Sequence, residues 1–495
     1  MMHRFCLLLL PTAIPVMHAF LPAAHEFGKS TIRLQYAKDG AVGLGFAGTE
    51  VDTTVTKSSS SSSSHSPGLA ENDKFVCDKS VEYWRNFQST GFDTDTANAQ
   101  SLAQISSRFI TKGPKAISYW MRHLGRTGYF TTNAALGVLG FQLHQSLFAA
   151  NNKKEDVPEV EPRFKSELLW SGASRLILEA AICYEQDYAQ IEKGVYNEPW
   201  DMTPTHRQST PQNVLTQTNR FVRDAIGVLG RRVKEETKDK KIDFVRAELK
   251  IEEFPKYYET AFHYQNNGWL SKDSADVYEV STETLFLGRQ DAMQRTTLPA
   301  LMDRAKQVRD RPMKVLEVAC GTGRFMTFAR DNLPLDTEYT AIDLSPFYLD
   351  AARDNDDYWT STRKSRENSD KKSIIRPANI VQAMAEKLPF DDDTFDAVVC
   401  IYLFHELPQA IRARAAAEMA RVVRPNGGTV IFTDSIQKGD RPILDDSMGN
   451  FGNMNEPYYV NYIQDDLPKH FENAGLVCKT KIVSSSTKSL SFEKK

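Results

Sequence analysis

A short apolar run at residues 314–318 leads into a turn of small residues, and this stretch is well suited to hold a small ligand. The residues here that could contact a ligand are Glu317, Ala319, Gly321 and Gly323. Such a turn lets the backbone approach either a dinucleotide or S-adenosylmethionine closely. The dinucleotide fingerprint requires a third glycine where this chain has Met326. S-adenosylmethionine has no phosphate and needs only the tight turn, which an acidic residue in the strand can hold, so the sequence favours it as the cofactor.

A carboxylate stands at the end of the next predicted strand. Asp343 follows Gly323 by 20 residues and closes the run T-A-I-D-L. At a strand end of this kind a carboxylate can accept hydrogen bonds from both hydroxyls of a ribose. We expect further cofactor contacts from the residues that follow this strand and the next ones: Leu344, Met384, Ala385 and Tyr402.

The residues that could act on a methyl acceptor follow the fourth predicted strand. His405 and Glu406 stand where the reacting methyl group should point. Methyl transfer needs an acceptor held in line with the sulfonium, and it needs a general base only if the acceptor must lose a proton. His405 is therefore a candidate base or substrate ligand, and the alternative is a structural histidine. Glu406 is a second candidate, although a carboxylate that begins a helix is also favourable by itself.

Two aromatic segments could cover the acceptor. The first, F-H-Y-Q-N-N-G-W-L-S at residues 262–271, contains His263 and Trp269 in what should be a loop. The second follows the fifth predicted strand and contains Tyr458 and Tyr459. Each segment could form part of a substrate pocket, and the alternative for each is ordinary aromatic packing.

The elements that must position these residues alternate between strand and helix from residue 312 to residue 495. This alternation predicts an α/β fold, a doubly wound and mostly parallel sheet, with an antiparallel hairpin at the C-terminus. In such sheets ligands bind at the carboxyl ends of the strands. We therefore expect the turn, Asp343 and His405 to converge at one edge.

The preceding chain has a helical pattern. Residues 74–250 repeat apolar side chains every three or four positions and predict an all-α N-terminal domain. Residues 251–311 hold the aromatic segment and helices that lead into the catalytic domain at residues 312–495. The connection from the aromatic segment to the first strand is short, so we expect that segment to lie near the cofactor site, facing His405 across one pocket.

Net charge and cysteine spacing argue against some classes of function. The 495-residue chain has a net charge of −3, so no overall basic field would recruit nucleic acid, and we expect a small-molecule substrate instead. The six cysteines show no C-x-x-C spacing, so neither a disulfide framework nor a metal site is indicated. Oligomeric state is left open by the sequence.

The N-terminus reads as a targeting signal. Residues 1–19 combine a basic start with a short apolar run, as in a signal peptide, and no transmembrane segment is expected in the mature protein. Residues 20–73 are poor in acids and end in a serine run, as in a transit peptide followed by a linker. The junction around Phe20 resembles the bipartite plastid signal of algae, which predicts a plastid (chloroplast) location. Plain secretion is the alternative.

Four blocks in residues 313–435 resemble a known family in order and spacing. They are V-L-E-V-A-C-G-T-G-R-F, A-I-D-L-S-P-F-Y-L-D-A-A-R, A-E-K-L-P-F-D-D-D-T-F-D-A-V-V and E-M-A-R-V-V-R-P-N-G-G. They are similar to class I S-adenosylmethionine-dependent methyltransferases of the ubiquinone/menaquinone C-methyltransferase type. The resemblance implies the class I methyltransferase fold, S-adenosylmethionine as cofactor, and methyl transfer as the activity.

Two positions depart from that family. Ala319 replaces the usual first glycine, which we expect to be tolerated if its φ is negative. Met384 replaces the aspartate that often binds adenine, so we expect backbone groups near Met384 and Ala385 to take that role. The aromatic segments favour a flat or lipophilic acceptor such as a quinone, a pigment or an isoprenoid precursor. A protein methyltransferase and a non-catalytic scaffold with this fold are the alternatives.

Overall fold

The computed structural model describes residues 76–87, 95–151, 166–234, 254–265, 268–366 and 375–495. The expected signal peptide, the expected transit peptide and residues 266–267 of the first aromatic segment lie outside these residues. Within the described residues, no helix combines the length and apolar character needed to cross a membrane.

In the part of the chain that the structure describes, eight strands form a single sheet. The strands are β1 (Val76–Cys77), β2 (Lys314–Val318), β3 (Glu338–Asp343), β4 (Asn379–Gln382), β5 (Ala397–Ile401), β6 (Thr429–Ser435), β7 (Leu476–Ser484) and β8 (Thr487–Lys494). Their spatial order is β1-β7-β8-β6-β5-β2-β3-β4. Strands β2 to β6 run parallel, and β8 is antiparallel to both β6 and β7. The mostly parallel sheet with a C-terminal antiparallel hairpin is confirmed.

Helices cover both faces of the sheet. Helices are numbered in chain order, and the first five belong to the N-terminal region. Those that follow the aromatic segment are α6 (Lys272–Leu285), α7 (Gln290–Gln294), α8 (Leu298–Gln307), α9 (Arg324–Asn332), α10 (Pro346–Arg366), α11 (Gln409–Val422), α12 (Asp445–Met448), α13 (Tyr459–Tyr462) and α14 (Leu467–Asn473). Apolar residues of α8, α9 and α10 share a core with Val315 on one face, and those of α11 and α14 share a core with Leu316 on the other. Because side chains alternate along a strand, the neighbouring apolar residues Val315 and Leu316 of β2 contribute to opposite cores.

The N-terminal region is helical, as predicted. Its helices are α1 (Lys79–Asn86), α2 (Asp95–Thr111), α3 (Pro114–Asn151), α4 (Ser166–Glu192) and α5 (Pro211–Lys234). Fully buried ion pairs tie α4 to the sheet region: Arg441 to Glu179 at 2.9 Å and Arg295 to Asp187 at 2.7 Å. Strand β1, which the helical pattern did not predict, pairs in parallel with β7 and extends the sheet. The helical region therefore packs directly on the sheet.

Candidate active site

The glycine turn after β2 has a left-handed backbone at alternate residues. The φ angles are 59° at Ala319, 55° at Gly321 and 74° at Gly323. A Cβ on Gly323 would lie 2.7 Å from Cε of Met326 and 3.1 Å from Cα of Ala352, so this crowding and the positive φ both favour glycine there. The condition under which alanine should be tolerated here, a negative φ, is not met at Ala319. The amide of the next residue, Cys320, donates to the carbonyl of Ile342 in β3 at 2.8 Å, and the chain reaches that bond through a left-handed residue.

Asp343 fastens this turn to the end of β3. Its Oδ2 accepts the amide of Gly321 at 2.9 Å, and its Oδ1 accepts the amide of Ser345 at 2.9 Å. Burial raises the pKa of this carboxyl, and the hydrogen bonds from the backbone oppose that rise. Each carboxylate oxygen can accept a second hydrogen bond, so Asp343 can hold the turn and still bind the hydroxyls of a ribose.

The sequence predicts that Glu317 holds the glycine turn, whereas in the structure it links two strands. It is buried, and Oε2 accepts a hydrogen bond of 2.8 Å from the hydroxyl of Tyr339 in β3. Burial raises the pKa of Glu317 to about 8, although the tyrosine hydrogen bond opposes that rise. This hydrogen bond therefore braces β2 against β3, beneath the turn rather than within it.

The expected adenine-side residues lie beside Asp343. The carbonyl of Leu344 accepts a hydrogen bond of 2.9 Å from the side chain of Gln382, at the end of β4. Met384 forms an isolated β-bridge with Lys387, and the intervening Ala385 is half-buried. The ends of β3 and β4 thus bring Leu344, Met384 and Ala385 to the same edge of the sheet.

Tyr402 follows β5 and points toward the C-terminal hairpin. It has a φ of 53°, and its hydroxyl lies 2.6 Å from the hydroxyl of Thr487 in β8. The hydroxyl of Tyr402 is therefore already engaged by the protein. Contact with a cofactor would have to come from its backbone or its ring.

Aromatic rings cover the glycine turn. A Cβ on Gly321 would lie 3.9 Å from Tyr278 of α6 and 4.0 Å from Tyr348 of α10. The ring centroid of Trp269 lies 5.8 Å from that of Tyr278 and 5.6 Å from that of Tyr348. Within the described chain, the indole nitrogen of Trp269 and the hydroxyl of Tyr348 are buried and have no hydrogen-bond partner. Buried polar atoms are normally paired, so these two indicate a place for a ligand.

His405 is oriented by a carboxylate from the neighbouring strand. Its Nδ1 lies 2.6 Å from Oδ1 of the fully buried Asp434, and Oδ2 of Asp434 accepts the amide of Phe404 at 2.8 Å. Burial by itself would lower the pKa of His405, but the Asp434 carboxylate outweighs it and raises the pKa to about 9. Asp434 was missed in the sequence, where its only signal is its place at the end of a buried strand.

A second histidine lies between two carboxylates next to His405. Nε2 of His263 is 2.8 Å from Oε1 of Glu456 and 3.8 Å from Oε1 of Glu406, and Glu406 is 3.7 Å from Nε2 of His405. Burial would lower the pKa of His263, but the two carboxylates raise it to about 10. The ring of His263 lies 5.5 Å from that of Trp269. Glu456 had no recognisable signal in the sequence.

The tyrosines of the second aromatic segment reach the same region. The ring of Tyr459 lies 6.3 Å from that of His405, and half-buried Tyr458 packs against the cluster that contains Trp269. The structure therefore brings the expected acceptor-side residues of three chain segments to one edge of the sheet.

Strand order and turn geometry together define the class. A parallel sheet with one antiparallel strand between β6 and β7 carries a glycine turn that is bonded to the carboxylate ending the adjacent strand. This is the arrangement of the class I methyltransferase fold.

Comparison with known proteins agrees with this assignment. Residues 315–427 match the family described as a methyltransferase domain. The chain is 29% identical over 158 residues to the ubiquinone/menaquinone biosynthesis C-methyltransferase of Idiomarina loihiensis, covering 32% of this chain and 55% of that protein. It is 29% identical over 158 residues to the demethylmenaquinone methyltransferase of Deinococcus radiodurans, covering 32% and 56% respectively. The chain thus spans about half the length of these curated relatives.

A solved structure with similarity to the chain is that of a TehB-like SAM-dependent methyltransferase from Corynebacterium glutamicum. It is 16% identical, with a TM-score of 0.29, and the match covers 46% of this chain and 100% of that one.

Proposed function

We propose that the protein transfers the methyl group of S-adenosylmethionine to a small lipophilic or aromatic acceptor, of the quinone, pigment or isoprenoid-precursor type. The observation that supports this most directly is the glycine turn joined to Asp343 beneath a layer of aromatic rings. The turn supplies close backbone contact for the methionine part of the cofactor, and Asp343 supplies acceptors for its ribose.

The reaction is a displacement at the sulfonium methyl. When bound, S-adenosylmethionine would supply an electrophilic methyl group: the acceptor atom would bond to the methyl carbon as the carbon–sulfur bond breaks, and the bonding electrons would stay on sulfur. A proton lost by the acceptor would pass to a neighbouring base such as Glu406. Such a step depends on in-line placement at roughly 3–3.5 Å and on exclusion of water. His405, held in orientation by Asp434, is positioned to bind a polar atom of the acceptor.

The acceptor class is argued from the rings around the site. Trp269, Tyr278 and Tyr348 offer apolar faces that favour stacking with a flat group, and each ring contacts its neighbours edge to face. Curated relatives named for ubiquinone and menaquinone biosynthesis support a quinone-like acceptor.

The proposal is tested by incubating the purified protein with S-adenosylmethionine labelled in its methyl group and a plastid extract. We expect label in the solvent-extractable fraction. Label in the protein fraction would instead favour a protein methyltransferase, and absence of both label and cofactor binding would favour a non-catalytic scaffold.

Two variants distinguish residues that bind the acceptor from residues that act in the methyl-transfer step. Trp269→Ala should raise KM because it removes stacking that is equal in the ground and transition states. His405→Ala should mainly lower kcat, and both variants should keep their affinity for the cofactor. Loss of cofactor affinity in either variant would contradict this division.

We further propose that the protein is delivered to a plastid. The basis is the sequence of residues 1–57, with Phe20 at the junction. A reporter fused to residues 1–57 should enter the plastid of an alga with secondary plastids, and Phe20→Ala should divert it. Secretion of the unmutated fusion would refute the proposal.

A further inference from the structure

Three separate chain segments bring metal-binding groups to one point beside the aromatic layer. His263 comes from the aromatic segment, Glu406 from the turn after β5, and Glu456 from the loop before α13. Their ligand atoms all lie within 4.8 Å of one another. Residues so far apart in sequence meet here only through the tertiary fold, so this cluster is not a by-product of one local turn.

The surrounding structure fixes the segments that supply these groups. The side chain of Asn455, next to Glu456, donates to the carbonyl of Ala261 at 2.6 Å and joins the two loops. The fully buried Arg412 of α11 donates to the carbonyl of Tyr458 at 3.0 Å and holds the other side of the Glu456 loop. The groups are therefore held in place before any ligand arrives.

Glu456 is the strongest indication of a missing ligand. Its side chain is fully buried, and Oε1 lies 2.8 Å from Nε2 of His263, but among the described residues Oε2 has no hydrogen-bond partner. A buried carboxylate oxygen without a hydrogen bond is costly unless a cation compensates it. A protonated His263 could neutralise one carboxylate, but the cluster contains two, Glu406 and Glu456, while His405 is already paired with Asp434.

We propose that His263, Glu406 and Glu456 bind a divalent transition-metal ion. In a tetrahedral site with metal–ligand lengths of about 2.0–2.2 Å, ligand atoms lie roughly 3.3–3.6 Å apart. The distances from Nε2 of His263 to the two carboxylates, 2.8 Å and 3.8 Å, bracket that spacing. One imidazole with two carboxylates suits Zn²⁺, Fe²⁺ or Mn²⁺ better than Mg²⁺ or Ca²⁺, which take oxygen ligands.

The ion would have a position open to substrate. Three protein ligands leave at least one coordination position free, as in catalytic metal sites. The site lies beside Trp269, so an oxygen atom of the acceptor could occupy the free position; this use of the ion rests on the proposed methyltransferase function. The presence of the ion itself does not depend on the proposed methyltransferase function.

The test is a calorimetric titration of the full, chelator-treated protein with Zn²⁺, without cofactor or acceptor. We expect one ion per chain and at least a tenfold weaker affinity in Glu456→Gln, which keeps the shape of the side chain. His470→Ala is the matched control, because His470 forms a similar 2.9 Å pair with Asp465 elsewhere and its removal should leave Zn²⁺ affinity unchanged. Absence of stoichiometric binding, or equal binding by Glu456→Gln and the wild type, would overturn the proposal.

Two further measurements keep the result interpretable. Thermal unfolding establishes that Glu456→Gln is folded, and Glu406→Gln replaces it if it is not. S-adenosylmethionine affinity is measured separately on the metal-free protein, where we expect it to be retained. Zn²⁺ binding without cofactor binding would refute the methyltransferase proposal alone, and cofactor binding without Zn²⁺ binding would refute the metal site alone.

Discussion

The buried carboxyl of Glu317 should make the protein less stable as pH rises. Its ordinary pKa of 4.5 is raised to about 8 in the folded protein, with burial as the main cause. The folded state therefore keeps this proton to a higher pH than the unfolded state does. Between pH 4.5 and about 8 the folded state binds more protons, and the free energy of unfolding falls as pH rises through that window.

Glu317→Gln removes this dependence, because an amide stays neutral and still accepts the hydrogen bond from Tyr339. Each pH unit above 4.5 within the window corresponds to about 1.36 kcal/mol. Relative to the wild type, the variant should gain about 1.4 kcal/mol at pH 5.5, one unit into the window, and about 4 kcal/mol at pH 7.5, three units into it. Urea unfolding of both proteins at the two pH values measures the difference from the transition midpoints.

The control is Glu472→Gln, which alters a half-exposed carboxylate 3.6 Å from Lys469. That pair is solvated, so its removal should move the midpoint little at either pH. A stability difference for Glu317→Gln that stays constant between pH 5.5 and pH 7.5 would show that Glu317 is ionised in the folded protein. Our account of this strand would then be wrong.

Three other substitutions test the turn and the buried pairs. Asp343→Ala should weaken S-adenosylmethionine binding by about 1.5–3 kcal/mol, because the ribose hydroxyls lose a charged acceptor, and unchanged affinity in calorimetry would place the ribose elsewhere. Ala319→Gly should raise the urea midpoint by the equivalent of about 1 kcal/mol, since glycine adopts the φ of 59° without strain; a lower midpoint would mean that the alanine methyl group contributes more by packing. Arg441→Met should destabilise the protein by about 3 kcal/mol in denaturant unfolding, at the low end for a broken buried pair, because Glu179 keeps Arg175 at 3.5 Å and the hydroxyl of Ser485 at 2.7 Å. Adding Glu179→Gln should recover much of the loss if the lost pair is the cause.

The fold of the C-terminal half could be predicted because its signals are local and repeated. Apolar strands such as β2 and β5 alternate with helices, and parallel strands joined by helices admit few topologies. Strand β1 escaped prediction because two residues carry no periodicity. Its strand conformation is fixed by β7, far along the chain.

The cofactor side of the site was easier to predict than the acceptor side, because its sequence signals are also local. The glycine turn and Asp343 lie in runs whose spacing alone places them at adjacent strand ends. Asp434, Glu456 and Tyr348 become functional candidates only through contacts between segments distant in sequence. The left-handed φ of Ala319 could not be predicted from the sequence, because residue type alone disfavours it and the accompanying bond from Cys320 to β3 joins distant segments.

The pairing of β1 with β7 has a consequence for how the chain is made. The amide of Val483 in β7 donates to the hydroxyl of Ser80, just past β1, across a sequence separation of 403 residues. During synthesis β1 must wait for some 400 further residues before its partner exists, so this contact closes late and at a large entropic cost. Until then the outer edge of β7 has unpaired backbone groups, and such an edge pairs readily with a strand of another molecule. A fragment that lacks residues 76–87 would keep that edge open permanently, so these residues protect the sheet against self-association.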